Sequence, residues 1–152
     1  MATGVQTPLF ARHQPGGVFT VVDVPAHPGS VRWVDSTATT TGADAVGYGN
    51  TPDKPYLTIN YAVTQCDADK ADTIFVMPGH AESIAGAAGI AVGKANVKIV
   101  GLGFGADRPT ITYTLAGTTS ETFTITAAGV MIRNLLFSCL KNAVISGIVV
   151  SA

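Results

Sequence analysis

The chain has 152 residues, of which 47% are hydrophobic and only 12% charged, about half the usual charged share of roughly 25%. That is enough material for one domain with a buried core, and too hydrophobic a composition for intrinsic disorder. A net charge of −1 with scattered Lys and Arg gives no general pull toward nucleic acid or an anionic membrane, and no run reaches the ~18–20 apolar residues of a membrane span.

The first element in chain order is an N-terminal arm, residues 1–41. Prolines at 8, 15, 25 and 28, with Gly16-Gly17 and Gly29, interrupt it too often for a helix. Two short β-like runs lie between them, Val18-Phe-Thr-Val-Val-Asp-Val24 and Val31-Arg-Trp-Val-Asp35. The arm reads as extended chain, packed either on its own domain or along a partner by strand addition. Phe10, Phe19 and Trp33 are its candidate partner-binding residues, since large aromatics in a charge-poor arm act as anchors. The first residues lack the basic and apolar regions of a signal peptide, so synthesis in a cytoplasm without export by that route is expected.

Residues 42–152 form the second unit. The small, polar stretch Thr37 to Asn50 is a loop, and its glycines lack the Gly-Lys-Ser/Thr that would hold a phosphate. One helix is expected at about 58–66, with Thr58 as N-cap and an apolar stripe of Ile59, Ala62, Val63 and Cys66. A single amphipathic helix ahead of a β-rich region suits a cap over the open end of stacked strands.

From Asp72 onward the chain repeats. Ile90 matches Phe123, Val92 matches Ile125, Val97 matches Val130, Ile99 matches Ile132 and Leu102 matches Leu135, every pair 33 positions apart. The apolar residues alternate within short runs, as in strands with one buried face, and small residues between the runs mark tight corners. A third, shorter copy at Thr73-Ile-Phe-Val-Met77 puts Ile74 and Val76 in the places of Val97 and Ile99. Short strands with tight corners at a period of 20–50 residues indicate a solenoid. The expected fold is therefore all-β, a right-handed parallel β-helix with one N-terminal capping helix and an extended arm. Val97, Ile99, Val130 and Ile132 should face inward.

Several motifs resemble a known family. Pro55-Tyr-Leu-Thr-Ile-Asn-Tyr-Ala-Val63, Ala71-Asp-Thr-Ile-Phe-Val-Met-Pro-Gly79, Val97-Lys-Ile-Val-Gly-Leu-Gly103 and Asn134-Leu-Leu-Phe137 resemble the opening of pectate-lyase-like β-helix proteins. The Pro-Gly-His-Ala-Glu82 and Gly-Leu-Gly-Phe-Gly-Ala-Asp-Arg-Pro109 versions, with the leader Thr7-Pro-Leu-Phe-Ala-Arg12, are similar to virion proteins of tailed bacteriophages. The resemblance implies a virion structural protein located in the virion: a capsid decoration protein or head fibre, or alternatively a tail fibre or tailspike acting on polysaccharide. Its implied partners are the major capsid protein or other virion subunits and further copies of itself, a homotrimer first. The chain lacks the acidic and arginine cluster with which the lyases hold calcium and substrate.

The remaining candidate sites are read as structural, with no catalytic, metal or cofactor residue assigned. Asp67, Asp69 and Asp72 have Asp72 and Pro78 where an EF-hand loop needs Gly and Glu, and so belong to a solvated helix-to-strand loop. His80 and Glu82 would share a strand face as an acid/base pair, but no nucleophile accompanies them, and His80 reads as a turn residue. His13 and His27 lack further ligands. Cys66 and Cys139 read as free buried thiols.

Overall fold

The computed structural model describes residues 29–84, 89–114, 123–139 and 147–151. Ten short strands, one α-helix and a single 3-10 turn (Gly105–Asp107) are assigned among them: β1 (Val31–Val34), α1 (Ile59–Thr64), β2 (Thr73–Val76), β3 (Ala81–Ile84), β4 (Ile90–Val92), β5 (Lys98–Gly101), β6 (Thr110–Tyr113), β7 (Phe123–Ile125), β8 (Met131–Arg133), β9 (Leu136–Cys139) and β10 (Ile148–Val150). The strands form three sheets, ordered β1-β2-β5-β8, β3-β6-β9 and β4-β7-β10, and every pairing is parallel. From β2 to β10 the chain visits the first, second and third sheet in that order three times. The fold is all-β and parallel, with one short helix.

Register follows the alternation in the sequence. Ile90 pairs with Phe123 and Val92 with Ile125, and Ile99 pairs with Ile132, so the 33-residue matches are neighbours in space. Ile74, however, pairs with Ile99, and Val76 with Gly101. The third copy is thus displaced by two residues from the expected alignment with Val97 and Ile99. A shift of two keeps the same face inward, so the apolar pattern alone could not detect it.

One cluster of buried side chains lies between the sheets: Ile74, Val76, Val92, Val97, Ile99, Ile111 and Phe123 are its centre, with Val130, Ile132 and Phe137 partly buried against it. The pleat turns alternate residues inward, and continuous contact between successive strands buries each at roughly 1.5–3 kcal/mol for a Val, Ile or Phe. Among the described residues no helix is long and apolar enough to cross a membrane.

The corners from the third sheet back to the first are the regular feature. Both contain five residues, 93–97 and 126–130. Asn96 (φ 61°) and Gly129 (φ 69°) hold the equivalent left-handed position, as does Asp69 (φ 63°) in the turn before β2. Asp69 N–H donates to Ala95 O (3.1 Å) and Asn96 N–H to Ala128 O (2.9 Å), while Asn96 Nδ2 donates to Asp69 Oδ1 (3.0 Å). Asn, Asp and Gly are the residues that adopt this conformation at least cost. The three turns therefore stack as a small hydrogen-bonded ladder beside the sheets.

The helix covers one end of this arrangement. Thr58 caps it, its hydroxyl accepting from Tyr61 N–H at 3.2 Å, and Ile59, Ala62, Val63 and Cys66 are buried. It packs on β1, β2 and β4. Asn60 Oδ1 accepts the N–H of Ala91 in β4 (3.2 Å), a donor on the outer edge of the third sheet. Asp44, in the Thr37 to Asn50 loop, braces the helix start by accepting from Leu57 N–H (2.8 Å), Thr58 N–H (3.2 Å) and the Thr58 hydroxyl (2.7 Å).

Residues 29–41, at the end of the stretch read as an arm, pack on the same core. β1 pairs with β2, Val34 is fully buried, and Ser30 N–H donates to Asp72 Oδ1 at 2.6 Å.

Candidate functional site

Four regions stand out among the described residues: a polar knot under the helix, the outer face of the first sheet, the end of the stack opposite the helix, and the loop that exposes Phe104.

The knot contains the histidine and carboxylates that the sequence singles out. His80 is 1% exposed. Its Nδ1 accepts the N–H of Ser36 at 3.0 Å, so that nitrogen holds a lone pair, and the N–H of the ring lies at Nε2, 3.3 Å from Glu82 Oε2. The same Glu82 oxygen accepts from Ile59 N–H, the first of the helix, at 2.9 Å. Glu82 registers with Ile111 and Phe137 in the second sheet, so it faces the interior, where main-chain donors replace water. His80 and Glu82 are therefore brought together as expected of one strand face, but they tie the segment after β1, the β2–β3 turn and the helix start into one unit. His80 is a residue of the β2–β3 turn, as expected, its N–H donating to Met77 O at 3.2 Å, and its ring is buried in the knot.

The three aspartates of the helix-to-strand loop each have a separate partner. Asp67 meets Lys70 at 2.7 Å, an exposed pair whose hydrogen bond lowers the Asp67 pKa and raises that of Lys70. Asp69 meets Asn96. Asp72 is buried and accepts two main-chain N–H groups, from Ser30 and from Asp67 (2.8 Å). Among the described residues no group of three or more potential ligands could hold a metal.

Of the cysteines, Cys66 is buried and Cys139 exposed, and neither is in a disulfide. The exposure of Cys139 corrects the expectation of two buried thiols: β9 lies at the edge of the second sheet, and no described strand lies beyond it. Burial, aided by the nearby Asp72 charge, pushes the Cys66 thiol up to about 12, and its Sγ donates to Ala62 O at 3.3 Å.

Phe10 and Phe19, two of the three arm aromatics, lie outside the described residues, as do His13 and His27. Trp33 lies in β1, half-buried, with its ring centroid 5.2 Å from that of Phe75. It registers with Phe75, and Phe75 with Val100 and then Arg133. This row points away from the core that Val34, Ile74, Val76 and Ile99 line.

At the end opposite the helix, the inward-facing row loses its cover. Ile148 and Val150 are 47% and 68% exposed, although their register partners Phe123 and Ile125 are buried or half-buried. Among the described residues β8, β9 and β10 each pair on one side only.

One exposed aromatic was not singled out from the sequence. Phe104 is 90% exposed, at the tip of the eight-residue connection 102–109 between β5 and β6. Gly103 (φ 95°) and Gly105 (φ 58°) flank it in left-handed conformations. The loop is braced by Asn134 Nδ2, which donates to Gly103 O at 3.0 Å, and by Gly79 N–H, which donates to Asp107 O at 2.8 Å. Glycine on both sides of an aromatic was the available signal.

No family model, curated protein or solved structure matches the chain.

Proposed function

We propose that the chain folds as a right-handed parallel β-helix and serves as a structural protein of a tailed-bacteriophage virion, of the capsid decoration or head-fibre kind. The N-terminal arm attaches it to the major capsid protein or another virion subunit, a homotrimer is its assembled form, and the β-helix projects outward. The family-like motifs suggest the virion. The observation that carries the structural role is the stack itself: three parallel sheets in which each visit of the chain lies in register on the one before. Such a stack grows along one axis by nearest-neighbour contacts, the mechanics of a stalk. A depolymerase would need two carboxylates facing each other across a groove. After the helix-to-strand loop the described acidic residues are Glu82, committed to the knot, and Asp107, exposed on the loop of Phe104.

The test is immunogold electron microscopy on particles of the phage or prophage that encodes the chain. Label on heads in regular copy number supports the reading. Unlabelled virions, or release of sugar from host capsule by the purified protein, would overturn it.

A further inference from the structure

Residues 36–42, Ser-Thr-Ala-Thr-Thr-Thr-Gly, form a strap with a single fastening to the polar knot. The main chain holds its two ends, Asp35 N–H donating to Tyr56 O at 2.8 Å and Ala43 N–H to Pro55 O at 3.1 Å. Among the described residues the bonds between those ends are internal: Thr37 and Ala38 donate to Asp35, Thr39 to Thr37, Thr41 and Gly42 to Ala38. Ser36 alone reaches out of the strap. Its N–H donates to His80 Nδ1 at 3.0 Å, and its Oγ accepts the N–H of Ala81 at 2.9 Å. Residues this small have little apolar area with which packing could hold them instead.

The other half of the fastening is a ring with one vacant proton site. With its own N–H at Nε2, toward Glu82, His80 can take up a proton only at Nδ1, the atom that holds Ser36. Protonation would set two N–H groups against each other across 3.0 Å. The strap is the side that yields. His80 is held by main-chain bonds on both sides, its N–H to Met77 O at 3.2 Å and its carbonyl accepting Thr110 N–H at 2.8 Å. Its ring is buried, and the Glu82 carboxylate, 3.3 Å from Nε2, is a counter-charge for the ring where it stands.

The other charged groups on the elements around the ring are committed elsewhere or exposed. Asp35 Oδ1 accepts from Thr37 N–H at 2.8 Å and from the Thr37 hydroxyl at 2.7 Å. In the connection before β6, Asp107 is exposed and Arg108 Nε donates to Gly105 O at 3.4 Å. The helix brings no acidic residue in its first turn.

We propose that His80 is an acid-sensitive latch, and that a proton taken up at Nδ1 releases Ser36 and frees residues 36–42 while the strand stack and the helix cap stay in place. The neutral ring makes the contact, so the strap is fastened at neutral pH and loosens as the pH falls through the protonation of His80. Glu82 still accepts the N–H of Ile59, which confines the change to the strap. The latch belongs to the fold and stands apart from the virion reading.

The test is nuclear magnetic resonance on the full chain from about pH 8 to about pH 5, the range in which histidine titrates. Amide protection factors are followed together with the imidazole nitrogen shifts of His80. Protection of Ser36 and Ala81 is expected to fall about tenfold or more in step with protonation of Nδ1, while Ile59 keeps its protection. His80→Gln, which keeps an acceptor but takes up no proton, should abolish the change. If that variant does not fold, the two midpoints in the unaltered chain decide, and they must coincide. An Nδ1 that stays unprotonated over the range would overturn the proposal, as would a Ser36 amide that stays protected beside a charged ring. Equal loss at Ile59, or the same change in His80→Gln, would also overturn it, since each assigns the effect to general acid unfolding or to a carboxylate.

Discussion

Asn96 and Gly129 occupy the same left-handed corner of successive layers, 33 residues apart, and the main chain of one donates into the turn of the other, Asn96 N–H to Ala128 O at 2.9 Å. A Cβ at Gly129 would lie 2.1 Å from Asn96 Oδ1. Gly129→Ala must therefore displace the Asn96 side chain from Asp69 and hold alanine at φ 69°. The expected loss is about 1–3 kcal/mol, read from urea unfolding midpoints. Asn96→Gly, which suits the same φ and frees the space, should cost less than Gly129→Ala.

The helix should contribute to stability through its buried stripe. Ile59 is fully buried, so Ile59→Ala is expected to cost about 2–5 kcal/mol. Ile59→Asp should cost more, because it places a second carboxylate beside Glu82 in a site without a cation. A change within about 0.5 kcal/mol, the range of ordinary surface substitutions, would contradict the packing described.

The knot gives a graded pair. Glu82→Ala leaves both Ile59 N–H and His80 without their acceptor, an expected loss of about 2–4 kcal/mol given charge-assisted bonds of about 1.5–3 kcal/mol each. Glu82→Gln keeps an acceptor oxygen and should retain more of the stability. Equal melting temperatures for the two variants would show that the hydrogen bonds to the carboxylate are not what matters.

The two thiols should differ sharply toward iodoacetamide at pH 8. Cys139 is exposed and should be alkylated in the native protein, whereas Cys66, buried with its thiol pushed up to about 12, carries almost no thiolate and should react only after unfolding. Mass spectrometry of the native and denatured protein reads the result directly.

The sequence repeat was legible wherever connections kept their length. Ile90 with Phe123 and Ile99 with Ile132 were found because the corner between their strands is five residues in both layers. Ile74 was misaligned because its spacing to Ile99 is 25 residues, not 33; the connection after β2 has four residues where that after β5 has eight, and the connection after β3 has five where that after β6 has nine. The helix and its stripe were legible from a 3.6-residue period and one capping threonine. The burial of His80 was not, because its partners are main-chain groups of Ser36 and, through Glu82, of Ile59, and a main-chain donor leaves no mark in composition. Asp44 and Asp72 were unreadable as braces for the same reason.

The unequal connections have an evolutionary consequence. The corners with Asn96 and Gly129 act as a fixed spacer, since one added residue there would reverse the faces of the next strand. The connections from the first sheet to the second number four, eight and two residues, so that edge has already accepted changes in length without loss of register. Sequence variation would collect on that side, around Phe104, while the corners of Asn96 and Gly129 stayed constant. For the same reason, a foreign peptide spliced in beside Gly105 would be carried on the surface of an otherwise unaltered framework.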